Sequence, residues 1–171
     1  MKPILAAVLC LAAMGAWATP TVDGRVASGE YAHTVSVIYE TATVSWTADS
    51  TGGLYLAVSA PTKGWVGIGL GAVIMDGAHL FMGYIKDGRS VISEQVGLGH
   101  THNASPAAWA DASAIGEDAG MTILEVHVPA SRVPVKDGRV DFIVAFAGNA
   151  DLTTYHEDNH DGGYIDLAAV E

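Results

Sequence analysis

The chain of 171 residues contains one cysteine, Cys10, which lies in an apolar run near the N-terminus. This segment begins with the positive Met1-Lys2, continues through Ile4 to Met14, and ends in the small-x-small triplet Ala16-Trp17-Ala18. The pattern predicts a secretory signal peptide over residues 1–18 that is removed by cleavage. The apolar run is too short to cross a bilayer. We therefore expect a periplasmic or secreted protein without membrane insertion.

Loss of the signal peptide would remove the only cysteine, so several kinds of chemistry are excluded from the mature chain. It would have no disulfide bond, no thiolate metal ligand and no cysteine nucleophile. Covalently attached c-type haem is also excluded, because the Cys-x-x-Cys-His motif is absent. Residues 19–171 are long enough for a single domain with a sizeable core, which packing alone must stabilise.

Basic residues are scarce. The chain has 8 lysines and arginines against 19 acidic residues, and Lys2 belongs to the signal peptide. This balance excludes nucleic acid and anionic membranes as expected partners. Acidic side chains generally keep a domain soluble. They also suit a redox partner with a basic docking surface.

No long segment has the apolar periodicity of a helix. The chain instead has short runs of alternating apolar and polar residues, separated by turn residues. The predicted strands are Thr34 to Tyr39, Thr43 to Thr47, Leu54 to Ala60, Trp65 to Leu70, Leu80 to Ile85, Ser90 to Val96, Thr122 to Val128, Val140 to Ala147 and Tyr164 to Ala168. Pro106 to Ala114 is the one segment in which we expect a short turn of helix. The pattern is typical of an all-β, antiparallel β-sandwich.

Alternation along the predicted strands assigns several side chains to a face. In the strand from Thr122 to Val128, the apolar residues share one face, so Glu125 and His127 should face solvent. We therefore do not expect His127 to be a ligand. Trp46 shares a face with other apolar residues and is predicted to pack in the core.

The segment from Gly64 to His79 is a glycine-rich apolar strand followed by a turn that contains Met75. A large thioether is unusual in such a turn and is a candidate ligand. Glycines 67, 69 and 71 either leave room for a cofactor or mark a bulge in the strand. The residues expected to supply apolar walls are Trp65, Ile68, Leu70, Ile74, Leu80 and Phe81.

A second group of candidate ligands lies near the C-terminus, in a predicted polar loop from Asp151 to Gly163. The loop contains His156 and His160, with acidic neighbours that would make an imidazole more basic through its second nitrogen. Loops of this kind commonly present functional groups.

Two further kinds of site remain open from the residues alone. His100 and His102, in an apparent loop, together with His156 and His160 would suit zinc, and Met75 or Met82 with histidines would suit copper. The aromatic residues available for a sugar platform are Trp65, Trp109, Tyr84, Tyr155 and Tyr164. We find no Gly-x-Ser-x-Gly motif and no carboxylate pair singled out by spacing, so a hydrolase is not expected.

Taken in order, several short motifs resemble those of DOMON domains. They are Val22-Asp23-Gly24, Gly29-Glu30-Tyr31, Trp46-Thr47, Gly64-Trp65-Val66-Gly67-Ile68-Gly69, Met75-Asp76-Gly77-Ala78, Gly99-His100-Thr101-His102, Tyr155-His156, Gly162-Gly163 and Ile165-Asp166-Leu167. The similarity extends over nearly all of the chain that follows the signal peptide. It implies an immunoglobulin-like two-sheet sandwich that serves as a haem or sugar module.

The resemblance to the haem-binding members implies axial ligation of haem b by Met75 and His156. Trp65, Gly69, Ile74 and Phe81 would then line the cofactor. The chain departs from the family at His79, where aspartate is more usual, and at Asp161-Gly162-Gly163, where Arg-Gly is common. His79 and His160 therefore compete with His156 as the second ligand.

Methionine and histidine together would leave no open position for oxygen on the iron, so the resemblance implies an electron carrier. Such a carrier would exchange single electrons with a separate redox protein. A haem-free sugar-binding module and a copper or zinc protein are the alternatives.

Overall fold

The computed structural model describes residues 18–167, so most of the predicted signal peptide and Ala168 lie outside the described residues. The regular structure in this range consists of strands alone. They are β1 His33–Val37, β2 Ala42–Ala48, β3 Leu54–Ala60, β4 Val66–Leu70, β5 His79–Lys86, β6 Arg89–Leu98, β7 Thr101–Ala104, β8 Ala112–Asp118, β9 Met121–Val128, β10 Arg139–Phe146 and β11 His160–Asp166. Within residues 18–167 there is thus no helix able to span a membrane.

Two antiparallel sheets face each other. One has five strands in the order β1-β2-β3-β9-β8, and the other has six in the order β11-β10-β4-β5-β6-β7. The space between them is filled by one apolar cluster, to which alternate residues of most strands contribute. In β4, for example, Val66, Ile68 and Leu70 enter this core, and Gly67 and Gly69 face outward. The predicted antiparallel β-sandwich is confirmed.

The main differences from the predicted strands lie in the less apolar segments. The segment from Pro106 to Ala114, where we expected a turn of helix, contains no helix, and its last residues belong to β8. Thr101–Ala104, expected to be a loop, forms the edge strand β7, and His160 to Gly163 already belong to β11. Edge strands bury little side-chain area, so their sequences lack the apolar alternation that identifies central strands.

The expectation for Glu125 was wrong, because this side chain is fully buried. The chain N-terminal to β1 folds over β9 and covers it. One Glu125 oxygen accepts hydrogen bonds from the backbone N–H groups of Asp23, Gly24 and Arg25, and the other accepts one from the Tyr31 hydroxyl. Alternation gave the correct face of the strand, but it contained no information about the segment that covers this face.

His127 is also less exposed than predicted. It stacks on Tyr55 with ring centroids 4.1 Å apart, and its two ring nitrogens lie 2.6 Å from Asp111 and 3.0 Å from Asp49. These contacts join β9 to the turn after β2 and to the segment before β8. Both nitrogens already have protein partners, in keeping with the expectation that His127 is not a ligand.

Candidate functional site

A second apolar cluster covers the outer face of the six-stranded sheet. Its buried members are Trp65, Ala78, Leu80, Met82 and Ala147, and Ala72, Met75, Tyr84, Ile143, Ala145 and Leu152 pack against them. An apolar cluster on the outer face of a sheet lies where solvent-exposed polar residues are usual. This face of the sandwich is therefore the candidate site.

The Met75 turn lies directly on β6. The Met75 carbonyl oxygen occupies the place that a Cβ on Gly97 would take, and Met75 Cγ is 3.1 Å from that place. The same carbonyl accepts a hydrogen bond from Ala78 N, and the Gly97 carbonyl accepts one from Gly77 N, each 3.1 Å long. Glycine at position 97 is what allows the turn to approach the sheet so closely.

On the same outer face, this turn also reaches β11, at the edge of the six-stranded sheet. The Val73 carbonyl oxygen is 3.2 Å from the place of a Cβ on Gly162, which faces outward from β11. Since Val73 and Met75 are only two residues apart, β6 and β11 must curve toward each other around the turn. The outer face is therefore a groove, closed at one end by residues 72–77.

We predict that Gly97→Ala displaces Met75, because the added methyl group overlaps the Met75 carbonyl. Overpacking of this kind costs about 1–3 kcal/mol. Gly148→Ala is the matched control, since a Cβ at Gly148 would meet nothing within 4 Å. Thermal unfolding of both variants checks the prediction, and equal unfolding temperatures would contradict it.

His156 stands at the other end of the groove. Its Nδ1 is 2.8 Å from the Glu157 carbonyl oxygen and donates to it, which leaves the lone pair on Nε2. No hydrogen bond to Nε2 forms among residues 18–167. Burial lowers the pKa of His156, and His160 lowers it further, while the hydrogen bond to Glu157 opposes them. A neutral imidazole with a free Nε2 is the form that binds metal ions.

Trp65 fixes the loop that carries His156. The indole is only 4 % exposed, and its Nε1 donates a hydrogen bond to the Thr154 carbonyl oxygen at 3.0 Å. The indole and His156 rings are perpendicular, with centroids 6.4 Å apart. His160 contacts His156 with centroids 4.8 Å apart, but it is exposed on β11. Of the two histidines, His156 is the one that contacts Trp65, a buried member of the apolar cluster.

The strand register shows how the two ends of the groove are related. His160, Ala145, Gly67, Met82 and Ser93 face outward in one row across the sheet. Gly97, under Met75, is four residues farther along β6 than Ser93, or about 13 Å. Met75 and His156 therefore approach the groove from opposite ends.

The floor of the groove, between the row that contains Gly67 and the Met75 turn, is narrow and apolar. Leu80 Cδ2 and Ile143 Cγ1 lie 2.6 and 2.9 Å from the place of a Cβ on Gly69. Gly69 thus belongs to the candidate site, where it lets its neighbours close over the strand instead of leaving a void. The sequence left open whether the glycines give room to a cofactor or mark a bulge, and the structure fills the space beside Gly69 with side chains from β5 and β10.

Two other predicted wall residues lie apart from the groove floor. Ile74, next to Met75, is 63 % exposed at the rim, while Phe81 is fully buried in the core between the sheets. Phe81 and Leu80 are adjacent in β5, so their side chains point to opposite faces of the sheet. Ile68 and Leu70 likewise point into the core.

His79, a competing ligand candidate, also lies on the core side of β5. Its Nε2 is 2.7 Å from a Glu94 oxygen, and its ring stacks on Trp109 with centroids 4.1 Å apart. Glu94 in turn accepts a hydrogen bond from the Trp109 backbone N–H. This group closes the space between the sheets, on the opposite face of the six-stranded sheet from Met75.

The proposed zinc and sugar sites do not assemble in the described residues. Residues 18–167 contain no group of three or more histidine and acidic side chains arranged to hold a metal ion. Trp65 is buried and Trp109 lies against His79, so they do not form an exposed platform with the tyrosines. Tyr164 lies beneath Arg139, with 5.2 Å from the guanidinium carbon to the ring centroid.

Several residues of the candidate site were missed in the sequence, and Met82 was considered only as a copper ligand. Met82, Ile143 and Ala145 face the groove from central strands, and Leu152 packs on them from the loop. The signal for the strand residues was alternation, since Met82 follows Leu80 by two positions and Ile143 precedes Ala145 by two. Leu152 had no such signal, because no periodicity predicts how a loop folds back.

No family model matches the chain, and no curated protein does. Solved structures do. The cytochrome b domain of pyranose dehydrogenase from Coprinopsis cinerea has a TM-score of 0.57 at 17% identity, covering 77% of this chain and 80% of that one. The cytochrome domain of Myriococcum thermophilum cellobiose dehydrogenase has a TM-score of 0.54 at 12% identity, covering 74% of each chain. The protein has the β-sandwich fold of these cytochrome domains.

Proposed function

We propose that the protein is an exported b-type cytochrome domain in which Met75 and His156 hold haem b. The observation that carries this proposal is the pairing of a thioether and a neutral imidazole at opposite ends of one apolar groove. Noncovalent haem requires an apolar slot and axial donors on its two sides. The likeness in fold to two cytochrome domains supports the same assignment.

The residues present fit this cofactor. The Glu157 carbonyl orients the His156 ring, while Leu80, Met82 and Ile143 exclude water from the groove. At the rim, Val73 and Ile74 are more than half exposed, so a porphyrin would cover apolar surface that is otherwise in solvent. Bound haem would supply one-electron redox chemistry, and a thioether ligand favours the ferrous state.

We further propose that the domain passes single electrons to or from a separate redox protein and does not itself catalyse a reaction. Axial donors at both ends of the groove would leave no open position for a substrate on the iron. The acidic composition suits a partner with a basic docking surface. The N-terminal segment supports export to the periplasm or the medium.

A copper site is the second candidate. His156 and His160 lie with their ring centroids 4.8 Å apart, and Met75 packs in the cluster that includes Trp65. Imidazole and thioether groups are ligands that copper accepts. The apolar floor of the groove favours a porphyrin over a single ion.

Expression of the full chain in a haem-replete bacterial host tests these proposals. We expect a coloured protein whose reduced spectrum has sharp α and β bands, as six-coordinate low-spin haem gives, and whose haem is extracted by acidic solvent because it is not covalently bound. N-terminal sequencing is expected to begin at Thr19. A colourless protein that takes up no added hemin would contradict the cytochrome assignment, and copper titration would then test the second candidate.

A further inference from the structure

The turn between β1 and β2 has an unfavourable backbone conformation. Ile38, Tyr39 and Glu40 are consecutive residues with φ angles of 50°, 56° and 64°. This left-handed region is uncommon for residues other than glycine, asparagine and aspartate, and it is especially unfavourable for β-branched isoleucine. Strain of this kind persists only where the surroundings impose it, and it tends to occur at functional sites.

Contacts within the fold explain Ile38 but not Tyr39. Ile38 is buried, its N–H donates to Asp161 Oδ2 at 3.0 Å, and its carbonyl accepts from the Thr41 hydroxyl at 2.7 Å. Tyr39 is 85 % exposed at the tip of the turn. Its ring contributes almost nothing to the core, so folding does not account for an aromatic residue there. Exposed tyrosines of this kind are common in protein interfaces.

The turn is joined to the histidine end of the groove. Asp161, which accepts the Ile38 N–H, follows His160 in β11, and the His160 ring contacts His156. Tyr155 is 72 % exposed, and its ring centroid is 4.7 Å from that of His156. The turn that carries Tyr39 and the ring of Tyr155 are thus both linked to the start of β11, the first through Asp161 and the second through His156 and His160.

The charged residues that neighbour these two tyrosines in the chain are acidic. Glu40, Glu157 and Asp158 are exposed, and no hydrogen bond or ion pair involves their side chains within residues 18–167. By contrast, Arg139 is paired with Asp141 in β10, at the opposite end of that strand from the residue that pairs with His160. Uncompensated charge beside exposed aromatic residues attracts a partner of opposite charge.

We propose that Tyr39 and Tyr155, together with Glu40, Glu157 and Asp158, form the docking surface for a redox protein with a cationic face. The inference rests on the proposed function, because it gives the partner an approach to haem at the His156 end. The aromatic rings would provide the contact area, and the carboxylates would steer the encounter.

The first test uses a small basic c-type cytochrome as the probe. Electron transfer from the reduced protein to the ferric probe is followed by stopped flow at several ionic strengths. Glu40→Lys with Asp158→Lys is expected to lower the second-order rate constant about tenfold at low salt and to flatten its salt dependence. Glu117→Lys with Asp118→Lys is the control, since it makes the same change of charge on β8, at the opposite edge of the five-stranded sheet from β1. Equal effects of the two double variants would overturn the proposal.

The second test separates docking from stability. Tyr39→Asn replaces the ring by a residue that tolerates the left-handed conformation. We expect an unfolding temperature at or above that of the native chain, together with a lower rate constant for electron transfer to the probe. A residue with a purely structural role would give the reverse, a lower unfolding temperature with unchanged transfer, and this result would contradict the inference.

Amide chemical shifts of the protein, recorded with and without the probe, distinguish the docking proposal from the cytochrome proposal, because this measurement does not require redox activity. Shifts at residues 38–41 and 155–158 would support the docking surface. If the protein binds haem and the shifts lie elsewhere, the surface is wrong and the cytochrome assignment stands. If it binds no haem, the cytochrome assignment fails whatever the map shows.

Discussion

Replacing His156 by alanine is expected to abolish the low-spin haem spectrum. The substitution removes the half-buried imidazole whose Nδ1 is anchored on Glu157 and whose ring contacts Trp65. Removing a residue that hydrogen-bonds to a metal ligand typically lowers metal affinity about 10–100-fold. We therefore expect loss of the ligand itself to lower haem affinity by more than roughly 100-fold. Hemin titration and the visible spectrum of the reduced protein measure the effect.

His160→Ala is the matched control. His160 lies beside His156 but is exposed on an edge strand, so the spectrum of this variant should keep its sharp reduced bands. Met75→Ala should convert the iron to a high-spin form or release the haem. If His160→Ala changes the spectrum and His156→Ala does not, the fold assignment is unaffected and the choice of histidine is wrong.

The largest expected effect on stability comes from Glu125→Ala. The substitution leaves three backbone N–H groups and the Tyr31 hydroxyl without their acceptor beneath the N-terminal segment. Leaving one buried donor unsatisfied costs about 1–3 kcal/mol, so we expect the loss of these four hydrogen bonds to cost about 3–5 kcal/mol in all. That is a large part of the stability of an ordinary domain, and it corresponds to a fall of roughly 10 °C in unfolding temperature. Thermal unfolding followed by circular dichroism measures it.

Glu125→Gln is the control, because it keeps an oxygen for the backbone N–H groups, and the Tyr31 hydroxyl can accept from the amide. It should also change the pH dependence. Burial raises the pKa of Glu125 above its ordinary value of 4.5, although hydrogen bonds from Tyr31 and the backbone oppose this. Above pH 4.5 the unfolded chain loses the proton before the folded one does, so stability falls with rising pH until the folded pKa is passed. Glu125→Gln should remove that fall, and an unchanged pH profile would contradict the assignment.

The central strands could be predicted well because each buries one face in the core. Leu54–Ala60 was predicted with the bounds that the structure has. The strands β4 and β9 differ from their predictions by one residue at one end, and β5 and β10 by one residue at each end. The missed strands β7 and β8 are at the edges of their sheets. Their side chains are largely exposed, so burial did not select an apolar pattern in them.

The candidate site was predictable only in part. Met75 stood out because a thioether is unusual in such a turn, whereas His156 was chosen as its partner from the resemblance to DOMON domains. Phe81 was grouped with them from its place in the sequence, although alternation from Leu80 puts it on the other face. Glycines 97 and 162, which allow the Met75 turn to lie on the sheet, had no signal because the atoms that exclude a side chain come from the distant turn itself.

The sequence by itself determined the all-β class, most of the strands and the residue types available for ligation, since these depend on local alternation and composition. Only the tertiary structure decided which residues share the outer face of the six-stranded sheet, that Glu125 is covered by the N-terminal segment, and that Met75 and His156 lie at opposite ends of one groove. These relations are set by strand order, register and the paths of loops. They depend on the packing of segments far apart in the chain, which local residue patterns do not encode.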